Sequence, residues 1–211
     1  FKKLIAGRGT KDYYLRGTFT RYHQDFAEDV KALAAIGKNV SVEPVVGKAS
    51  DPYAIREEDL PQLKAEYERL AEYLKDHPET NFFHFNVDLA QGPCVIKRLR
   101  GCGAGCEYVA ITPDGEIYPC HQFVGNEEYK LGNVYDGSFD STLSSRFAGL
   151  NIYTREECSN CWARFYCAGG CSASNLLVSG DIKHPHKVGC ELERRRLECA
   201  IALRAIAAGM G

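Results

Sequence analysis

Four cysteines lie within fourteen residues of this 211-residue sequence, and their thiols are its strongest candidates for chemistry. The segment 158–171 reads CSNCWARFYCAGGC, so two, five and three residues separate successive cysteines. Cysteines two residues apart can turn both sulfurs toward one metal ion or cluster, because a tight turn brings them to the same side. Gly169 and Gly170 permit the sharp backbone path before the last thiol. The spacing therefore predicts a metal or iron-sulfur site.

Three further cysteines extend this pattern along the chain. Twelve residues separate Cys102 from Gly115, and four more separate that glycine from Cys120. Cys190 follows the dense segment and precedes the last predicted helix. The sequence contains ten cysteines in total, with none in the first ninety residues. Because no secretion signal is recognisable, this density favours metal binding over disulfides.

The ordered cysteines and the placed glycine resemble the SPASM domain, which is found at the C-terminus of many radical S-adenosylmethionine (SAM) maturases. The resemblance covers about half of the chain, residues 94–199. It implies two auxiliary [4Fe-4S] clusters with interleaved ligands, so the domain is expected to depend on its metal for folding. The implied ligands of auxiliary cluster I are Cys102, Cys120 and Cys171, and those of auxiliary cluster II are Cys158, Cys161, Cys167 and Cys190.

Auxiliary cluster I has three implied ligands, and its fourth coordination position has three interpretations. Some relatives supply a ligand from the position of Cys94, which makes this residue the first candidate. Cys106 is the second candidate, and the third interpretation is an open iron that accepts a thiolate from a substrate peptide. Cys199 lies in an apolar helical segment and is expected to be a core thiol.

Four stretches of the sequence carry a second resemblance: RGTFT (16–20), SVEPVV (41–46), KRLRGCG (97–103) and YPCHQF (118–123). They resemble a narrower group, the maturases of six-cysteines-in-forty-five (SCIFF) peptides. This resemblance implies an enzyme that forms thioether links between a peptide cysteine and a carbon of another residue. It implies a cysteine-containing precursor peptide as substrate and an electron donor such as ferredoxin or flavodoxin.

The resemblance also implies SAM as a cofactor, cleaved at a third [4Fe-4S] cluster on a CxxxCxxC motif. The sequence lacks this motif: Val109 and Ser174 occupy the final position of its two nearest matches. We therefore expect a C-terminal part of a longer enzyme that is inactive alone. Arg16, Thr18 and Glu43 are the residues that the resemblance places near SAM. The alternative is that Arg16 and Glu43 form an ordinary ion pair.

Alternating strands and helices are predicted for the first ninety residues. Branched and aromatic residues favour strands over 13–20, 40–46 and 82–87. Apolar residues at helical spacing predict two intervening helices, which favours parallel strands joined by helical crossovers. The expected fold class is α/β: the C-terminal half of a radical SAM barrel over 1–93, followed by a small SPASM domain with a β-hairpin and helices over 94–211.

The composition of the chain limits the partners and the cellular location that we expect for it. A formal net charge of −2 gives no basic field for nucleic acid or for an anionic membrane surface. No apolar run approaches the ~20 residues of a membrane span, so a cytoplasmic protein is expected. Two alternatives to iron-sulfur clusters remain open: a zinc-stapled binding module, since CxxC pairs also hold zinc, and a disulfide-bonded extracellular domain.

Overall fold

The computed structural model describes residues 1–87 and 95–209, which divide into two compact units. The sheet unit comprises Phe1–Gly92 and Lys187–Gly211, and the cysteine-rich unit comprises Pro93–His186. The elements of the first part of the sheet unit are α1 (Lys2–Arg8), β1 (Leu15–Phe19), α2 (Phe26–Ala34), β2 (Asn39–Pro44), α3 (Leu60–Asp76) and β3 (Asn81–Phe82). The elements of the cysteine-rich unit are α4 (Val95–Arg100), β4 (Ala110–Ile111), β5 (Glu116–Tyr118), β6 (Gly132–Asn133), β7 (Ser138–Phe139), α5 (Ser141–Ala148), α6 (Glu156–Ser159), α7 (Arg164–Cys167) and α8 (Ser172–Ser179). The last helix, α9 (Lys187–Ala207), returns to the sheet unit.

The sheet unit has a mixed α/β fold built on a parallel sheet of order β1-β2-β3. Helices α2 and α3 connect successive strands, as the alternating sequence pattern predicts. The third strand is shorter than predicted, because it ends at Phe82 and residues 83–85 form a 3-10 turn. That turn buries the side chain of Phe85. The aromatic run favours a strand locally, but here burial of the ring in the core determines the backbone conformation.

Aromatic and aliphatic side chains fill one face of this sheet. The rings of Phe19 and Phe26 stack with centroids 4.5 Å apart, and Tyr67 of α3 lies 4.7 Å from Phe26. Leu63 and Leu70 lie on the same face of α3 and are fully buried, as helical spacing requires. Burial of each such side chain contributes roughly 1.5–3 kcal/mol to folding.

The C-terminal helix packs on α3 within the sheet unit. Leu192, Leu197 and Ala200 of α9 are buried, and the ion pair between Lys64 and Glu191 joins the two helices at 2.5 Å. The boundary predicted from the sequence assigned residues 94–211 to one domain, whereas the structure groups 187–211 with the sheet. An amphipathic helix buries its apolar face wherever a partner is available, and its position in the sequence does not identify that partner.

The cysteine-rich unit contains an antiparallel sheet of order β4-β5-β6-β7. Strands β4 and β5 pair around the turn 112–115, where Gly115 adopts a φ of +79°. The core beside this sheet includes the fully buried rings or side chains of Tyr118, Leu131 and Ile182. Among the described residues, no helix is long and apolar enough to cross a membrane.

Candidate iron-sulfur centre

Two loops bring Cys102 close to Cys120. The turn 103–107 follows Cys102, and its Gly105 amide donates to the carbonyl of Pro119 at 3.0 Å. Gly105 has a φ of +80°, and a Cβ there would lie 2.8 Å from the ring of Phe147. The glycine is therefore needed for both the backbone conformation and the close approach. This contact joins the chain beside one thiol to the residue that precedes the other.

A second contact brings Cys171 to the same place. The backbone of Gly101 passes Ala168, and a Cβ at Gly101 would lie 3.5 Å from the Ala168 carbonyl oxygen. Residues 168, 169 and 170 all have positive φ values, of 57°, 90° and 73°. Ala168 is the one non-glycine residue with positive φ in the described part of the chain. This left-handed turn leads directly into Cys171.

The hydroxyl of Tyr108 contacts the thiol of Cys102. It lies 4.0 Å from the Cys102 sulfur, to which it donates a hydrogen bond. Burial, and then the negative charge of Cys102, Cys120 and Cys171, raise the pKa of Tyr108 well above its usual value. The charges of all three thiols therefore act on Tyr108. These are the three cysteines that the SPASM resemblance implies for auxiliary cluster I.

Cys120 has the surroundings of a buried cluster ligand. It follows β5 and precedes a 3-10 turn over His121–Phe123. Burial raises the pKa of its thiol, whereas hydrogen bonds from the backbone amides of Gln122 and Phe123 lower it. Amide NH groups directed at sulfur stabilise a thiolate, and they also stabilise the charge of an iron-sulfur cluster.

Cys158 and Cys161 form a second pair of neighbouring thiols. The amide of Cys161 donates to the carbonyl of Cys158 at 3.0 Å, which closes the turn that a two-residue spacing predicts. Burial raises the pKa of Cys158, and the charge of Arg155 lowers it. Cys167 ends α7, and its charge also reaches Arg155. Three of the implied ligands of auxiliary cluster II therefore lie in one short segment.

The remaining cysteines lie in different settings. Cys94 is outside the described residues. Cys106 donates from its thiol to the carbonyl of Gly103 at 3.4 Å, within the turn after Cys102. Cys190 and Cys199 lie on α9, in the sheet unit. Cys199 is buried, and burial raises its pKa to about 11, as expected for a core thiol.

Cysteine thiolates can bind either an iron-sulfur cluster or a single metal ion, and the two differ in the spacing of the sulfurs that they require. Within residues 1–87 and 95–209, no three His, Cys, Asp or Glu side chains converge closely enough to share one ion. A zinc site needs four ligands about 2.0–2.3 Å from one centre. In a [4Fe-4S] cluster each cysteine binds a different iron, so the thiols stand farther apart. The Tyr108 hydroxyl on Cys102 and the amides that act on Cys120 are donors of the kind that stabilise the charge of an iron-sulfur cluster.

The three residues implied as SAM contacts lie together on the sheet. Arg16 pairs with Ser41 in the β1–β2 register, and Thr18 pairs with Glu43. Side chains two residues apart on a strand share a face, so Arg16, Thr18 and Glu43 share one. Arg16 Nη2 lies 2.9 Å from Glu43 Oε2, and the two side chains are 66% and 40% exposed. The ion pair considered as the alternative is therefore present, on the face opposite the aromatic core.

His84 and Arg196 extend this polar group. His84 Nε2 lies 3.0 Å from Ser41 Oγ and 3.5 Å from Glu43 Oε1. Arg196 of α9 donates to His84 Nδ1 at 3.1 Å. Burial, and then the charges of Arg196 and Arg16, lower the pKa of His84 to about 3, so the ring is neutral at pH 7. The sequence prediction missed both residues, because no local pattern links positions 112 residues apart.

Comparison with known proteins gives a domain match and similar folds. The SPASM family, described as an iron-sulfur cluster-binding domain, matches residues 102–162. The chain therefore carries a SPASM domain, and Cys167, Cys171 and Cys190 follow the matched residues.

Two relatives are biosynthetic proteins. The mycofactocin maturase MftC of Mycobacterium ulcerans is 27% identical over 195 residues, which cover 86% of this chain and 50% of that protein. The antilisterial bacteriocin subtilosin biosynthesis protein AlbA of Bacillus subtilis is 41% identical over 53 residues, or 25% of this chain and 11% of AlbA.

Two solved structures share the fold. A structure of anSMEcpe with bound AdoMet has a TM-score of 0.70 at 17% identity, and the match covers 99% of this chain and 58% of that one. A second, with AdoMet and the Cp18Cys peptide, has a TM-score of 0.68 and covers 99% of this chain and 61% of that one. The chain thus spans about half the length of MftC and somewhat more of anSMEcpe.

Proposed function

We propose that this chain is part of a radical SAM enzyme that modifies a ribosomally made peptide, and that its cysteines hold two auxiliary [4Fe-4S] clusters. The observation that carries this proposal is a set of backbone contacts that draws together the segments bearing Cys102, Cys120 and Cys171, in a unit whose residues 102–162 match the SPASM domain. The similarity to a maturase and to a bacteriocin biosynthesis protein supports peptide modification. A zinc-stapled module is less favoured, since the family that matches residues 102–162 binds iron-sulfur clusters.

The proposed ligands follow the interleaved pattern. Cys102, Cys120 and Cys171 would hold auxiliary cluster I, with Cys94, Cys106 or a substrate thiolate in the fourth position. Cys158, Cys161, Cys167 and Cys190 would hold auxiliary cluster II. Such clusters supply one-electron transfer, and an open iron supplies a site for a thiolate. The chain contributes the anionic thiols, the amides at Cys120 and the Tyr108 hydroxyl, which together stabilise charge on sulfur.

We assign the polar face of the sheet to SAM and the peptide. Arg16, Thr18 and Glu43 are exposed or half-buried there, on the face that would line a completed barrel. Neutral His84 donates from Nε2, because Arg196 occupies Nδ1, and this orients the carboxylate of Glu43. An oriented carboxylate and a guanidinium can bind the amino and carboxylate groups of an amino-acid moiety such as that of SAM.

The SCIFF-like stretches lead us to propose thioether formation as the modification. The substrate would then be a cysteine-containing precursor peptide, with a ferredoxin or flavodoxin as the electron donor and the cytoplasm as the location. The third cluster, which cleaves SAM, would need a CxxxCxxC motif, which these 211 residues lack. In this proposal residues 1–93 and α9 belong to the barrel, and residues 94–186 belong to the cluster domain.

The test is anaerobic reconstitution followed by iron, sulfide and zinc analysis with a visible spectrum. Two clusters predict about eight irons per chain and a broad charge-transfer absorption. Stoichiometric zinc without colour would instead support the binding module. Incubation of the full-length enzyme with SAM, reductant and a cysteine-containing precursor peptide then tests the modification, since a thioether link lowers the peptide mass by two hydrogens and blocks alkylation of the thiol.

A further inference from the structure

Arg155 is a buried cation in the middle of the cysteine-rich unit. Only 4% of the residue is exposed, although arginine is rarely buried unless an anion compensates its charge. The charge of Glu157 reaches Arg155, but this side chain is 51% exposed, so solvent screens its charge. Buried neighbours of Arg155 are therefore the other candidates for a compensating anion.

The guanidinium holds the left-handed turn between two cysteines. Arg155 Nη1 donates to the carbonyl of Gly169 at 2.9 Å, and Nη2 donates to Ser172 Oγ at 3.3 Å. A Cβ at Gly169 would lie 3.1 Å from both Cδ and Nε of Arg155, so the glycine lets the arginine lie against the backbone. Asn175 donates to the same carbonyl at 3.4 Å. Arg155 thus fixes the segment that connects Cys167 to Cys171.

Two contacts place cysteines beside this cation: the Cys158 amide donates to the Arg155 carbonyl at 3.0 Å, and Gly169, which accepts from Arg155 Nη1, lies between Cys167 and Cys171. Burial lowers the pKa of Arg155, and the negative charges of Cys158, Cys167 and Cys171 oppose this effect. The Nε of Arg155 is buried and, among the described residues, has no hydrogen-bond partner. A buried donor without a partner costs about 1–3 kcal/mol, unless another group satisfies it. Thiolates and cluster sulfides are acceptors of the right charge for this position.

We propose that Arg155 is a positioning residue shared by the two cluster sites, which ties the 168–170 turn and raises the reduction potentials of the clusters through its positive charge. The inference rests on the proposed function, because it assigns Cys158 and Cys167 to auxiliary cluster II and Cys171 to auxiliary cluster I. A nearby cation favours the reduced cluster, which carries one more negative charge. Auxiliary cluster II, with two of the three thiols, should respond more strongly than auxiliary cluster I.

The experiment compares three variants of the cluster-loaded protein. R155Q removes the charge, R155K keeps it, and R146Q removes a charge from the exposed surface of α5 in the same unit. Each protein is titrated anaerobically with dithionite as the one-electron reductant and followed by electron paramagnetic resonance. Iron content and circular dichroism are measured in parallel, so that loading and folding are known for every variant.

The proposal predicts a change in R155Q alone. At a fixed potential, its ratio of reduced to oxidised auxiliary cluster II should fall about tenfold, which is a 59 mV decrease for a one-electron couple. R155K and R146Q should stay within about twofold of the wild type. Loss of iron in folded R155Q, with iron retained in R155K, would also support the role of the charge.

Two results would overturn the inference. One is that R155Q and R155K both keep the cluster reduction potentials and the iron content of the wild type. The other is equal loss of iron from folded R155Q and R155K, which would show that only the shape of the arginine matters. Wild-type protein that binds no iron would reject the proposed function as well, whereas eight irons with unchanged potentials would reject the role of Arg155 alone.

Discussion

Arg196 lies 3.1 Å from Nδ1 of His84, although 112 residues separate the two in the chain. This contact joins α9 to the short turn after β3 within the sheet unit. It places a permanent cation against an imidazole, so the ring stays neutral and its Nε2 proton points to Ser41 and Glu43. A helix that follows the cysteine-rich unit thus determines the chemical state of a residue on the sheet.

The neutral state of His84 predicts a pH dependence of stability. The folded pKa is about 3 and the ordinary value is 6.5, so between these values only the unfolded chain binds the proton. Stability is therefore highest above about pH 6.5 and falls as the pH is lowered toward 3. We expect the wild type to lose roughly 1–2 kcal/mol more than H84Q between pH 7 and pH 5. Urea denaturation of both proteins at pH 7 and pH 5 measures these changes in the free energy of unfolding. Equal decreases in the wild type and H84Q would contradict the prediction.

The two proposed ligand sets predict separate effects of cysteine substitutions. C120A should remove auxiliary cluster I and about half of the iron, because a buried ligand with directed amides is lost. C161A should remove the other half, because it deletes one of the two thiols that the Cys158–Cys161 turn holds side by side. C199A is the matched control and should retain all iron, since its thiol is a core group. Iron analysis after reconstitution tests both ligand sets. A C120A protein that keeps all of its iron would be evidence against Cys120 as a ligand of auxiliary cluster I.

Gly132 is predicted to be the least replaceable glycine of the antiparallel sheet. Its φ is +147°, and a Cβ there would lie 2.0 Å from the carbonyl oxygen of Ser138 on the neighbouring strand. The Cβ would clash with backbone atoms, which cannot rotate away as a side chain can. G132A should therefore lower the free energy of unfolding by about 3 kcal/mol or more. Gly137 has a φ of +71° with open space around it, so G137A should cost only about 1–2 kcal/mol. Thermal denaturation of both variants tests this order.

Glu66 is predicted to be the most important acidic residue for the stability of the sheet unit. Its side chain is 1% exposed, pairs with Arg69 and accepts from the Ala27 amide in the first turn of α2. E66A leaves that amide and the guanidinium without their anion, which should cost about 2–3 kcal/mol. Glu72 also forms an i,i+3 pair, with Lys75, but is 72% exposed. E72A should therefore cost less than about 0.5 kcal/mol in the same urea titration.

Local patterns in the sequence predicted the elements with the strongest periodicity. The alternation of strands and helices predicted a parallel sheet, and the two-residue spacing predicted the Cys158–Cys161 turn. Prediction was less accurate where local propensity competed with packing. The aromatic run after Asn81 favoured a longer strand, but Phe85 is buried through a turn instead.

The sequence by itself determined the types and spacing of the thiols, which are readable within a few residues of one another. Only the tertiary structure decided that the chain beside Cys102 contacts the residue before Cys120, that Arg155 binds the turn between Cys167 and Cys171, and that α9 belongs with the sheet. Turns and helices follow from backbone geometry over a few residues. Contacts between distant segments depend on which apolar faces bury one another, and that choice is made by the whole fold.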